Sequence, residues 1–401
     1  MDTMMFKTFE LPELIWPVEW GKSNGFYFYL EPVEAIHNGR VLVRRYGEMI
    51  MLSSYSYLGL LGHPKINAAA TKAIDEYSTG THGVRLLSGT LNLHNQLEKR
   101  IALFKNTDSA IVFSSGYMTN LSTISVLVQR GDLIFCDKLN HASIVDGCRL
   151  SGARFVSYRH NDMHHLEQLL RQADADVNKM VVADAVFSMD GDLLNLPEVS
   201  RLCRQYGAFL MVDEAHSIGM LGRTGHGIEE HFDLPPDTID VKMGTLSKTI
   251  PSMGGYIAGN TRLIELLRHQ SRAFIFSAAL PPAQTAAALT AFDVIEDEPE
   301  RIDTLHQNAS YYSERLRNMG FNLLNTQTAI MPIICGDEKK AWMMAKHCQE
   351  KGLFIQGIPY PVVPRGTARL RCIITASHTL ADLDYSLNVI GQAGKLTGVL
   401  N

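Results

Sequence analysis

Short, unbroken apolar runs recur along the chain, divided by stretches of helical periodicity. Ala110-Ile111-Val112-Phe113, Leu133-Ile134-Phe135-Cys136, Met180-Val181-Val182-Ala183 and Phe209-Leu210-Met211-Val212 are examples. A run without polar alternation suits a strand buried on both faces, and such strands build a mostly parallel sheet covered by helices. The segment from Asn92 to about Leu103 shows the intervening period, with Leu93, Leu97, Ile101 and Phe104 on one side. Open parallel sheets bind ligands beyond the carboxyl ends of their strands. Asp213 ends one run, Ser188 follows Val181 to Phe187, and Lys248 follows a strand-like piece. Segments far apart in sequence are therefore expected to meet at one rim.

The pattern changes after Pro281-Pro282. A long helical stretch over about 283–318 leads into β-rich pieces near Ile330-Met331-Pro332-Ile333, Leu353-Phe354-Ile355 and Leu370-Arg371-Cys372-Ile373. The expected organisation is an N-terminal arm (1–59), a large α/β domain (60–290) and a smaller C-terminal α+β domain (291–401). Residues 1 to about 50 read as irregular and aromatic-rich, suited to an arm across a partner subunit. The 401 residues leave room for both cores.

Apolar content of 46% and charged content of 20% describe a globular chain. A net charge of -5 gives no electrostatic case for nucleic acid. The cysteines at 136, 148, 203, 335, 348 and 372 form no C-x-x-C pair. That argues against a zinc site or a disulfide framework and suits a reducing compartment. Asp2, Lys7 and Glu10 interrupt the N-terminus, so no signal peptide is expected. Nowhere do about 18 apolar residues run together, so no spanning helix is expected. Phe26-Tyr27-Phe28-Tyr29 reads as a packed arm, with membrane or acyl contact as the alternative. The cytoplasm is the default location.

Three motifs carry chemistry: Asn140-His141-Ala142-Ser143, Val212-Asp213-Glu214-Ala215-His216-Ser217 and Thr245-Leu246-Ser247-Lys248. A pyridoxal phosphate (PLP) site needs a lysine to form an imine and an acid facing the pyridinium nitrogen. Lys248 would be the lysine, though alone it would pass for a surface residue at a helix start. Its amine must lose a proton before it acts. The preceding Thr245 and Ser247 offer hydroxyls and amides suited to phosphate. Asp213 would keep the ring nitrogen protonated, an attraction on the order of 5 kcal/mol at roughly 3 Å and an effective dielectric of about 20. Its other reading is a helix cap.

His216 would hydrogen-bond the ring's phenolic oxygen or else be a satisfied buried histidine. His141 could stack on the ring or lie exposed on a loop. The amides of Ser115-Gly116-Tyr117 could bind phosphate at a helix N-terminus, although Gly116 might equally serve a simple turn. Arg369 and Arg371 share one strand face. Arg371 could clamp a carboxylate in a bidentate pair or form a surface salt bridge. Rival motifs are absent: no G-x-G-x-x-G, no Walker loop and no G-x-S-x-G elbow. The glycine-rich Gly222-Arg223-Thr224-Gly225-His226-Gly227 follows no strand and reads as a loop.

With these residues in view, the chain resembles the α-oxoamine synthases, a branch of the fold-type I PLP enzymes. That family includes 8-amino-7-oxononanoate synthase, glycine C-acetyltransferase, 5-aminolaevulinate synthase and serine palmitoyltransferase. The likeness runs from about Leu52 to about Ile390. It rests on Tyr57-Leu58-Gly59-Leu60, Thr81-His82-Gly83-Val84-Arg85, Leu87-Ser88-Gly89-Thr90, Leu139 to Ser143, Asp213 to Ser217, Gly244 to Lys248, Gly254-Gly255-Tyr256 and Val363 to Arg371.

The resemblance implies a fold-type I PLP-dependent transferase, α/β, with a mostly parallel central sheet and a smaller C-terminal α+β domain. By resemblance Lys248 forms the imine, Asp213 faces the pyridinium, His216 and Ser188 meet the phenolic oxygen, and His141 stacks. Thr245, Ser247 and the Ser115, Gly116 and Tyr117 amides resemble phosphate ligands, and Arg371 the substrate-carboxylate arginine. It also implies a homodimer with active sites at the interface, Ser277 approaching the partner's phosphate. The implied reaction is decarboxylative condensation of a small amino acid (alanine, glycine or serine) with an acyl thioester on CoA or a carrier protein, giving an α-amino ketone and CO2.

Two departures stand out. Tyr55 occupies a position where the family often has Asn, which makes it a candidate substrate contact. Ala278 replaces the usual Thr of F-S-T, which puts one cross-subunit phosphate contact in doubt. The alternatives are another fold-type I enzyme, a lyase or aminotransferase, or a catalytically dead partner subunit; the latter lack the lysine that is present here as Lys248.

Overall fold

The structure is a computed structural model and describes residues 19, 21–27 and 29–400. Asp2, Lys7, Glu10, Phe28 and the first part of the expected arm lie outside the described residues.

Residues 33–51 correct the expectation of an irregular arm. They form an antiparallel meander of β1 (Val33–His37), β2 (Arg40–Val43) and β3 (Gly47–Met51). The cause is local. Asn38 and Gly39 both take positive φ (41° and 81°) between the paired residues His37 and Arg40. An Asn-Gly pair in that conformation is the favoured two-residue hairpin turn, because its twist matches that of the strands.

The central sheet uses β4 (Ser109–Phe113), β5 (Leu133–Asp137), β6 (Arg154–Tyr158), β7 (Lys179–Asp184), β8 (Ala208–Asp213), β9 (Val241–Ser247) and β10 (Pro251–Gly259) in the order β4-β10-β9-β8-β7-β5-β6. Only β10 runs antiparallel, pairing with β4 and β9. The apolar runs divide their side chains between two cores. Val181, Ala183, Leu210 and Val212 join one core, while Met180, Val182 and Met211 join the other. A strand that must satisfy two apolar faces cannot alternate with polar residues, which explains the unbroken runs.

The expected single helical stretch over 283–318 is two helices, Pro282–Asp297 and Glu300–Asn318. Pro299 separates them: it lacks an N–H to continue the ladder and fits only at a helix start. Beyond them, β11 (Ile330–Gly336), β12 (Leu353–Phe354), β13 (Gly357–Ile358) and β14 (Ala368–Ile373) complete the strands. A three-stranded sheet has the order β11-β14-β13. β12 instead pairs in parallel with β3, and the Ile373 N–H donates to the Leu52 carbonyl at 2.8 Å. The N-terminal meander is thus stitched to the C-terminal part of the chain. No helix among the described residues is long and apolar enough to cross a membrane, and all six cysteines are buried and free.

Candidate active site

Because β4, β5, β7, β8 and β9 run the same way, the residues that follow them converge at one edge of the sheet. There Ser115, Gly116, Tyr117, His141, Ser188, Asp213, His216, Thr245, Ser247 and Lys248 line a single cavity of about 290 Å³. Arg371 reaches its rim from β14, donating to the Tyr55 hydroxyl at 2.6 Å and the Ser188 carbonyl at 3.2 Å. Arg369 is engaged beside it by Asp190 and the Met189 carbonyl. Ser277 is half-buried and does not line the cavity of its own chain.

Ser115 caps the helix Gly116–Leu127, its side chain accepting from the Met118 N–H at 3.2 Å. A Cβ on Gly116 would lie 2.9 Å from Thr245 Oγ1, and one on Gly255 would lie 2.7 Å from the Gly116 Cα. Glycine at both positions lets the helix start close onto β9 and β10, leaving its first amides facing the cavity. Such a start, with the paired hydroxyls of Thr245 and Ser247 (2.9 Å apart), favours a phosphate group.

Asp213 is buried at the end of β8 with both oxygens engaged. One accepts from Asn120 Nδ2 at 2.7 Å, the other from the Ala215 N–H at 2.9 Å. Asn120 also donates to Ser143 Oγ at 2.9 Å, tying the acid to the His141 segment. The His141 N–H donates to Asp184 Oδ2 at 2.7 Å, and its Nδ1 meets Ser143 Oγ at 2.7 Å. Asp184 lies directly beside Asp213 in the β7–β8 register. Burial, then repulsion from Asp213, pushes its carboxyl well above the usual range.

Lys248 Nζ lies 2.8 Å from His216 Nε2, and His216 Nδ1 lies 2.7 Å from the Tyr57 hydroxyl. Burial raises the Tyr57 phenol well out of the accessible range, so the hydroxyl keeps its proton and can give it to Nδ1 or accept one from it. When the hydroxyl donates, Nε2 carries the ring proton towards a neutral amine; when it accepts, Nε2 takes a hydrogen bond from a charged one. Burial, reinforced by Lys248, lowers His216 well below the ordinary histidine value and keeps the ring neutral. Burial also lowers Lys248, to about 8, with Asp213 and Asp184 pulling the other way. A lysine so shifted supplies free amine near neutral pH.

The loop carrying Ser188 is fastened from behind. His160 bridges Asp137 (3.0 Å) and Asp192 (2.9 Å) and packs edge-on against Phe187. Burial opposes its charge, but the two carboxylates outweigh it and hold His160 up at about 10.

Asn120, Asp184, Ser143 and Tyr57 are the members of this constellation to which sequence reasoning gave no role. Asp184 carried a usable signal, since it ends the run Met180 to Ala183 as Asp213 ends its own. Tyr57 and Asn120 meet their partners only through the fold, 159 and 93 residues away.

The donor set fits PLP: a lysine with lowered pKa, a fully engaged buried acid, a histidine on the same cavity wall, and a glycine-lined cradle with hydroxyls. The model of the aminotransferase class I and II family matches residues 47–390. The chain belongs to this family.

Within it, this chain is an α-oxoamine synthase. It is 43% identical over 380 residues to 8-amino-7-oxononanoate synthase of Symbiobacterium thermophilum, an alignment covering 94% of this chain and 96% of that one. Serine palmitoyltransferase of Sphingomonas wittichii superposes with a TM-score of 0.95 at 33% identity, covering all of both chains. A serine palmitoyltransferase of S. paucimobilis, with PLP and myriocin bound, gives 0.94 at 34% identity over 97% of this chain and 98% of that one. The α-oxoamine synthase described here is a PLP-dependent C-acyltransferase, and its reaction joins an amino acid to an acyl thioester with loss of CO2.

Proposed function

We propose that this synthase takes a small amino acid (alanine, glycine or serine) and an acyl group on CoA or a carrier protein, acting as a cytoplasmic homodimer. Bound PLP supplies an electron sink for the carbanion at the amino acid's Cα. The protein's own groups do the rest. Arg371, braced by Tyr55 and the Ser188 carbonyl, holds the substrate carboxylate and orients the Cα bonds. Lys248 Nζ takes the Cα proton, within reach of the position Arg371 imposes. Asp213 keeps the cofactor's ring nitrogen protonated, and the His216 Nε2 proton is offered to its phenolic oxygen with Ser188. His141 covers one ring face. Ser115, Gly116, Tyr117, Thr245 and Ser247 hold the phosphate, and Ser277 reaches that of the other subunit.

One observation carries the proposal: Lys248 and Asp213, from different strand ends, face one cavity whose rim holds a single arginine fork engaged by a tyrosine hydroxyl. A short carboxylate-bearing substrate fits that rim. The test is a matrix of amino acids against acyl-CoA and acyl-carrier donors, with products identified by mass spectrometry. α-Amino ketones from one of the three small amino acids are expected. Turnover of amino acid without any acyl donor would favour a lyase or aminotransferase instead.

A further inference from the structure

A second cavity, of about 380 Å³, opens on the far side of Lys248 and shares Ser247 and Lys248 with the first. Its mouth and floor come from the N-terminal meander and its C-terminal partner strand: Ile36, Val41, Met51 and Phe354. Ser53, Ser54 and Ser56 form a hydroxyl-bearing flank on the segment that also carries Tyr55. The Ser53 hydroxyl is buried and has no hydrogen-bond partner among the described residues, so it can meet one polar atom of an incoming chain. Among the described residues lining this cavity, Lys248 is the only charged one, and the reaction itself occupies that amine.

We infer that this cavity holds the acyl chain of the thioester and selects an uncharged chain over one ending in a carboxylate. The inference rests on the condensation proposed above and goes beyond it by naming the acyl class. An 8-amino-7-oxononanoate, the product for which the bacterial relative is named, carries a carboxylate at the far end of its chain. A carboxylate laid against Val41, Met51 and Phe354 would lose part of its water and find no cation, while Ile36, 52% exposed, stands at the mouth. A partly desolvated charge with no partner is disfavoured, whereas methylenes on such a floor are favoured.

The test holds the amino acid fixed and compares pantetheine thioesters, which CoA and carrier proteins have in common. Straight-chain acyl groups from hexanoyl to hexadecanoyl are each matched with an ω-carboxylated twin of equal carbon count, and CO2 release is measured with PLP-loaded enzyme. The neutral member of each productive pair is expected to have the higher kcat/KM, by about tenfold. Ile36→Arg, on the exposed edge strand where folding is tolerant, places a cation at the mouth and should shift the ratio about tenfold towards the carboxylated twin. Equal or reversed preference in the native enzyme overturns the inference while leaving the condensation intact. An Ile36→Arg ratio that does not move overturns the assignment of this cavity. If no thioester drives CO2 release, the reaction proposal itself fails, and the inference with it.

Discussion

Lys248 illustrates how one side chain is prepared by its surroundings. Burial lowers its pKa to about 8, and its amine meets Nε2 of the neutral His216 ring, whose other nitrogen meets the Tyr57 hydroxyl. In protein freed of cofactor, labelling of Lys248 by an amine-selective reagent, followed by peptide mass spectrometry, is expected to titrate with a midpoint near 8. A midpoint at the ordinary lysine value would show that the burial is not felt. Tyr57→Phe removes the hydroxyl and little else. His216 can then carry its proton on Nδ1 and accept at Nε2 from a charged lysine, so the labelling midpoint should move upward and kcat fall about tenfold. An unchanged midpoint in a stably folded Tyr57→Phe protein would remove Tyr57 from the account. Nothing near Tyr57 in sequence announces this role, because Tyr-Leu-Gly-Leu meets His216 only when the meander and the central sheet come together.

Among elements, the loop between β7 and the helix beginning at Leu196 bears the most weight, since Ser188 and the carbonyls that meet Arg369 and Arg371 lie on it. His160 is its anchor, charged in the folded state and joined to Asp137 and Asp192. Its folded pKa of about 10 lies above the ordinary 6.5. The stabilisation is therefore complete below about pH 6.5 and is lost as pH rises through about 10. Differential scanning calorimetry should show His160→Gln less stable by about 1–3 kcal/mol at neutral pH, the figure being reduced for partial exposure. The difference from the native protein should shrink towards pH 10; a constant gap would mean the charge contributes nothing.

Elements were unevenly legible beforehand. The doubly buried strands announced themselves as runs, and the run-ending acid pointed to the rim. The hairpin over 33–43 carries its signal in Asn38-Gly39 alone, which the aromatic-rich composition before it masks. Pro299 was likewise overridden by helical periodicity on both sides. Asn120, by contrast, lies in an ordinary helix and becomes significant only because that helix faces β8.

At the scale of the whole molecule, the meander, β12 and β14 bring Ile36, Met51, Phe354 and Arg371 to the rim near Lys248 and Ser188. Leu87 and Phe276 are 86% and 72% exposed, and their segments are joined by the Val84–Ala278 bridge. Such an exposed apolar patch suits burial by a second copy. Light scattering should give twice the chain mass, and Phe276→Glu should shift it towards the monomer with loss of activity. A monomeric native protein with full activity would contradict the dimer.

The central claim is that Lys248 and its cavity remove CO2 from an amino acid only as an acyl group is joined to it. The most direct measurement follows the label from a carboxyl-13C amino acid with PLP-loaded enzyme, with and without the acyl thioester that turns over best, and with Lys248→Ala. Labelled CO2 should appear in equal amount to α-amino ketone, require the thioester, and fall by about 10²–10⁴-fold in the variant. Labelled CO2 released without thioester, or undiminished by Lys248→Ala, would contradict the account.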